Sequence, residues 1–272
     1  MKIKSVLTVV SAIIGIGVFA TVGRASAIKH SSTTDPRLVN ITATEMFQEL
    51  RLTSPSSGQF AVLFARAQNS GLMPPLYTYL NQLALVKPDD LYVKIWLANA
   101  AAAVANQGLQ ATAPAPGAIP TLDQQHAAID ATARASNLLQ QSKQLLQTAV
   151  ALQPANALAQ SSLGWFLVQQ YNAIPGLQTE GFLRLNSAVS LAPGDALLWF
   201  NLGSAYLLPD PHGALPNRIR LAESALKEAA KLDKTFAAPH VLLRSIYIGL
   251  HEPKRAAVEA KATAELTPGS AK

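Results

Sequence analysis

The side chains best suited to chemistry are few and scattered. Five histidines stand at His30, His126, His212, His240 and His251, and no two share the helical spacing that would place a pair of imidazoles on one metal. His126 has Asp123 and Asp130 within a helical turn, which reads as an exposed helical charge cluster before it reads as a metal site. Asp210-Pro211-His212 brings an acid near a base, but Asp-Pro followed by His-Gly is first of all a turn. An enzyme site, or an accessory of polysaccharide processing, would have to be assembled on a loop edge around Tyr171, Asp210, His212 and Arg218. The HExxH, GxSxG, GxxxxGK[ST] and GxGxxG patterns do not occur. With no cysteine, the chain has no disulfide, thiol nucleophile or thiolate metal site. These residues predict no enzyme, no cofactor and no metal. Asp89-Asp90 is expected to cap a helix start, and Glu223 with Lys227, four apart, to form an exposed helical pair.

What remains is the scaffold that would hold such groups. Nearly half of the 272 residues are apolar and 14% are charged, which argues against disorder; Ala, Leu and Gln outnumber aromatics, which favours helices. The N-terminus carries Lys2 and Lys4, an uncharged stretch from Ser5 to Gly23 and an Ala25-Ser26-Ala27 ending. A basic start, an apolar run and an A-x-A site form a secretory leader pattern, with cleavage expected after Ala27. The run is also long enough to span a bilayer as an uncleaved anchor. Either reading predicts export, periplasmic or secreted in the first case and membrane-anchored in the second. Without Lys2, Lys4 and Arg24 the basic residues fall to 19 against 16 acidic ones. The longest basic run is then Lys254-Arg255, so a nucleic-acid footprint is not expected.

The rest of the chain is periodic. Trp199, Leu202, Gly203 and Tyr206 spell W-x2-L-G-x2-Y, and Ala222, Leu226 and Ala229 follow at helical steps. Ala237–Ser270 is a 34-residue stretch holding Leu243 and Tyr247, then Ala256, Ala260 and Ala264, then Leu266 and Pro268. Ser57–Asp90 is another 34-residue stretch, with Phe60, Leu63, Gly71, Leu80, Ala84 and Pro88. "SLGWF" (162–166) repeats the Leu-Gly pair, and "LALVKP", "AVALQP" and "AVSLAP" share one helix-to-proline exit. On these residues, 57–270 resembles the tetratricopeptide repeat family. The resemblance implies an all-α, right-handed solenoid of helical hairpins, with about five units near 57–90, 91–156, 157–195, 196–236 and 237–270. Residues 1–27 are the leader or anchor, and 28–56 a linker with a short helix. Leu76 and Ser142 stand where the family pattern expects small residues, so the pair around Leu76 is expected to pack wider.

Three units exceed 34 residues, and each excess falls between the unit's two helices: 107–121, 171–180 and 209–217. From Leu122 to Leu152 there is no Pro or Gly, which predicts one long helix or two abutting ones, the first half overhanging the edge. "TATE" (42–45) is a capping-box pattern that opens a short helix through Met46, Phe47, Leu50 and Leu52. The last helix is expected to cap the array with Lys254, Arg255, Glu259, Lys261 and Glu265.

In the family the first helix of each unit lines a concave groove. That implies a floor of Tyr92, Ile95 and Asn99; Ser161, Trp165 and Gln169; Leu197, Phe200 and Ser204; and Val241 and Ser245. Of the Lys, Arg and Asn carboxylate clamp used by tail-binding relatives, Asn99 alone has a counterpart, so that clamp is not expected. An apolar floor suits a partner helix or an extended apolar peptide. The expected function is a protein–protein interaction scaffold, partner unknown, with self-association as the alternative and membrane contact only through residues 5–23. Internal cover of the floor, by 42–52 or 107–139, is equally open at this level.

Overall fold

The computed structural model describes residues 34–113, 120–171, 175–209 and 217–267. The leader or anchor expected at 1–27, His30, the Asp210–His212 pair and Pro268 lie outside these, as does the side chain of Tyr171. Among the described residues there are a 3-10 turn (Pro36–Leu38) and eleven α-helices. We number them α1 (Ala43–Leu52), α2 (Gly58–Asn69), α3 (Met73–Val86), α4 (Leu91–Ala111), α5 (Leu122–Leu152), α6 (Ala157–Tyr171), α7 (Pro175–Leu191), α8 (Ala196–Leu207), α9 (Arg218–Leu232), α10 (Ala237–Gly249) and α11 (Pro253–Leu266). No described helix is long and apolar enough to cross a membrane.

The chain divides into two compact units, residues 71–154 and the remainder. The division passes between α2 and α3, the two helices of the repeat expected at 57–90.

In the 71–154 unit, α4 packs against both α3 and α5. Its start is capped by Asp90, whose carboxylate accepts the Tyr92 and Val93 N–H groups at 2.9 and 3.0 Å. Ile95 through Ala102 is buried without interruption, as befits a central helix. Helix α4 continues through Gln107–Ala111, where a loop was expected. Gly108 alone does not stop a helix, and the first proline comes only at 114. The long helix is one piece, α5, opened by a capping box between Thr121 and Gln124. None of Leu122–Asp130 is buried, whereas Ala131, Ala135, Ser142, Leu146 and Ala149 are, so its first turns overhang. Leu76 is fully buried on α3, and Tyr77 Oη donates to Gln141 Oε1 at 3.1 Å across to α5.

In the other unit, α6–α7, α8–α9 and α10–α11 are three successive helical hairpins of tetratricopeptide-like packing. Glycine sets the approach within a pair. A Cβ on Gly203 would stand 2.8 Å from Leu226 Cγ on α9, and one on Gly164 would stand 2.7 Å from the Gly181 carbonyl on α7. Tyr206 reaches back to the preceding pair, stacking on Phe182 at 4.9 Å. Asn201 donates to Ser161 at 3.0 Å, a buried bond between the first helices of consecutive pairs. Of the excess expected between first and second helices, 107–111 and 122–139 lie within α4 and α5 themselves, and 175–180 within α7. Helix α1 begins with the expected capping box: Glu45 N–H reaches Thr42 Oγ1 at 3.3 Å and Thr42 N–H reaches Glu45 Oε2 at 2.7 Å.

Glu223 and Lys227 do pair, at 2.7 Å, but they are part of a larger group than an exposed helical pair. Arg255 of α11 also reaches Glu223, stacks over Tyr247 at 3.9 Å and pairs with Glu252. Burial pushes the Glu223 carboxyl up, but hydrogen bonds from Lys227, Arg255 and Tyr247 outweigh it and leave the group below its ordinary range.

Candidate partner-binding surface

The expected floor residues are largely sealed. In the 71–154 unit Ile95 and Asn99 are buried and Tyr92 is half-buried. In the other unit Ser161, Trp165, Leu197, Phe200 and Ser204 are buried, while Gln169, Val241 and Ser245 are half-buried. Burying large apolar groups such as Phe200 contributes about 1.5–3 kcal/mol each. Of the expected floor, surface is therefore left at Tyr92 in the one unit and at Gln169, Val241 and Ser245 in the other.

Part of the cover is visible side chain by side chain. Phe200 of α8 meets Phe236 at 4.9 Å in a tilted ring pair. Phe236 lies in the turn between α9 and α10, and its other neighbour is the guanidinium of Arg37, 4.3 Å from the ring centre. Arg37 belongs to the 3-10 turn near the N-terminus. A segment from outside the repeats is thus seated on them through the stack Arg37–Phe236–Phe200.

Polar bonds fix the same segment. Asp35 N–H donates to the Leu266 carbonyl at 2.9 Å. Asp35 Oδ2 accepts the Ala237 N–H, also at 2.9 Å, while Oδ1 accepts the Arg37 N–H at 2.9 Å and Nη1 at 3.2 Å. Arg37 Nη2 pairs with Asp233 Oδ2 at 2.7 Å. Asp35 and Arg37 are buried, at 1% and 6% exposure, so the charges are paired and hydrogen-bonded where desolvation would otherwise be costly. Burial pushes the Asp233 carboxyl up; the Arg37 charge and bonds from Arg37 and Thr235 outweigh it, and the net direction is down.

One carboxylate therefore caps two helix starts, its own 3-10 turn and α10. The reason lies in the sequence. Helices α4 and α8 carry Asp90 and Asp195 at their caps, but α10 has Phe236 there, with no side-chain cap bond. Its uncapped N–H groups attract an anion, and Asp35 supplies one from 202 residues away. Behind this strap, Asn69 Nδ2 donates to the Arg37 carbonyl at 2.9 Å and the Ile41 N–H to Ser70 Oγ at 2.9 Å, tying it to the end of α2.

Sequence reasoning missed Asp35, Arg37, Asp233 and Phe236. "TDPRL" reads as a proline turn in a linker, and the one signal was negative: an uncapped helix start at Phe236.

The histidines do not converge. His126, Asp123 and Asp130 are all exposed, and His240 Nδ1 lies 2.7 Å from Glu259 Oε2. Among the described residues no group of three or more His, Asp or Glu could hold a metal. Arg218, from the loop edge, donates to the Leu208 carbonyl at 2.6 Å.

No family model matches the chain, and neither does any curated protein. Solved structures do. A point mutant of MamA has a TM-score of 0.38 at 17% identity, covering 74% of this chain and 91% of its own. The human IFIT1 dimer with PPP-AAAA scores 0.44 at 15% identity, over 83% of this chain and 55% of its own. The same dimer with m7Gppp-AAAA scores 0.43 at 17%, over 83% and 54%. At such scores the overlap is partial, and the fold assignment rests on the helical hairpins themselves.

Proposed function

We propose that this chain is a non-enzymatic helical-repeat scaffold whose repeats hold a peptide or helix of a protein partner. The observation that carries this reading is the stack Arg37–Phe236–Phe200. It is an instance, within one chain, of the repeats gripping a short segment from outside the array by ring stacking, an ion pair and backbone hydrogen bonds. The half-buried Gln169, Val241 and Ser245 on one unit, and Tyr92 on the other, are the groove residues a partner meets first. Ile95, Asn99, Trp165, Leu197, Phe200 and Ser204 are buried and meet no partner directly. Export belongs to the same proposal: the basic, apolar, A-x-A start directs residues 28–272 out of the cytosol, either released after Ala27 or anchored by residues 5–23.

Site-specific photocrosslinkers test the binding role. Placed at Val241 and Gln169 in the native host, they should capture the same protein, and one on exposed Lys231 should not. Labelling that is equal from all three positions would remove the reading. Fractionation of the host, with the mass of the mature N-terminus, tests export.

A further inference from the structure

Asp233, Phe236, the Ala237 N–H and the Leu266 carbonyl present four different contacts to one short segment. A carboxylate takes a guanidinium, a ring takes its flat face, an N–H takes a carboxylate and a carbonyl takes a backbone N–H. Each demands a different group at a fixed place. Together they read an acidic residue two positions before an arginine, which is Asp35-Pro36-Arg37. We propose that this surface is a recognition site for an Asp-x-Arg segment of a partner protein, and that the chain's own Asp35–Arg37 is its resident, displaceable occupant. The proposal rests on the scaffold reading above and names the chemistry of its partner.

Three features favour a receptor over a permanent seam. The start of α10 lacks a cap of its own, so it is left bare whenever the strap leaves. The strap lies on the outside: Pro36, Val39 and Asn40 are exposed although Asp35 and Arg37 are buried, so lifting it bares the Phe236 ring but separates no helical hairpin. Its own conformation is set locally, by Asp35 capping the 3-10 turn and by Pro36 fixing φ, so a free peptide of the same sequence is partly pre-organised. Lysine in place of the arginine would lose the planar group that pairs with Asp233 and stacks on Phe236 at once. The resident occupant competes at the high effective concentration of a tethered segment, so a partner peptide binds the intact chain weakly.

The experiment uses the full chain and a fluorescent peptide of residues 34–42, read by anisotropy. Arg37→Glu repels the strap from Asp233 and leaves the receptor intact. This chain should bind the peptide at least about 10-fold tighter than the wild type, because the resident no longer competes. Asp233→Arg should abolish binding, as should the same peptide with its arginine replaced by glutamate. A folded Arg37→Glu chain that binds no tighter than the wild type overturns the proposal. Should Arg37→Glu unfold, Arg37→Gln takes its place; if both unfold, Asp35–Arg37 is an element of the fold and the proposal is wrong. Crosslinks from Val241 and Gln169 score the scaffold reading separately, so the two can fail independently.

Discussion

Arg37 Nη2 lies 2.7 Å from Asp233 Oδ2 across 196 residues of sequence, and the same guanidinium covers Phe236 at 4.3 Å. This relationship ties the N-terminal segment to the last two hairpins and accounts for part of the cover on the apolar repeat face.

Removing the guanidinium leaves Asp35 and Asp233 facing each other with their shared cation gone. Arg37→Ala should destabilise the chain by about 3 kcal/mol, near the low end for breaking a buried pair because Asp233 is partly exposed. Urea unfolding checks this through a lower midpoint at unchanged slope.

The strap should also loosen in acid. The Asp233 carboxyl titrates below its ordinary range in the folded chain, so it contributes stability above the unfolded value, about pH 4, and that contribution is lost as pH falls through the folded one. The stability gap between wild type and Asp233→Asn should be full at neutral pH and shrink below about pH 4. A gap that widens in acid would mean that the assigned direction is wrong.

Glycine substitutions separate packing from propensity. Gly164→Ala meets the Gly181 carbonyl at 2.7 Å and the Leu185 N at 2.9 Å, both backbone, and should cost about 2–3 kcal/mol or more. Gly203→Ala meets mainly the Leu226 side chain and should cost about 1–2 kcal/mol. Gly108→Ala meets nothing within 4 Å inside α4 and should stabilise by about 0.5–1 kcal/mol. Thermal midpoints of the three variants give the order.

Ser142, like Leu76, stands where the repeat pattern expects a small residue. It is fully buried on α5, and its hydroxyl finds no hydrogen-bond partner. Ser142→Ala removes an unsatisfied polar group without opening a cavity, and should raise stability by up to about 1 kcal/mol. Unchanged or lower stability in calorimetry would show that the hydroxyl is satisfied in solution.

The repeat hairpins were legible because their rules are local. W-x2-L-G-x2-Y places Gly203 against Leu226 and Tyr206 against Phe182 through helical spacing alone. The capping box at Thr42 and the unbroken run from Leu122 to Leu152 are equally local. The strap was not legible, since its bonds join residues about 200 positions apart and "TDPRL" carries no periodicity. The exposure of the expected groove residues was not legible. Burial of Phe200 depends on Phe236 and Arg37, one from the next repeat's turn and one from the far end of the chain.

The central claim is that the C-terminal repeats hold Asp35–Arg37 as a bound occupant. Hydrogen exchange at the Asp35 and Ala237 amides measures this most directly, because each is bonded only through that contact. Both should be protected in the wild type and open together, with a free energy below that of core amides such as Leu226; in Asp35→Ala the Ala237 amide should lose its protection. Exchange of both amides at the free-chain rate in the wild type, or only through global unfolding, would contradict the account.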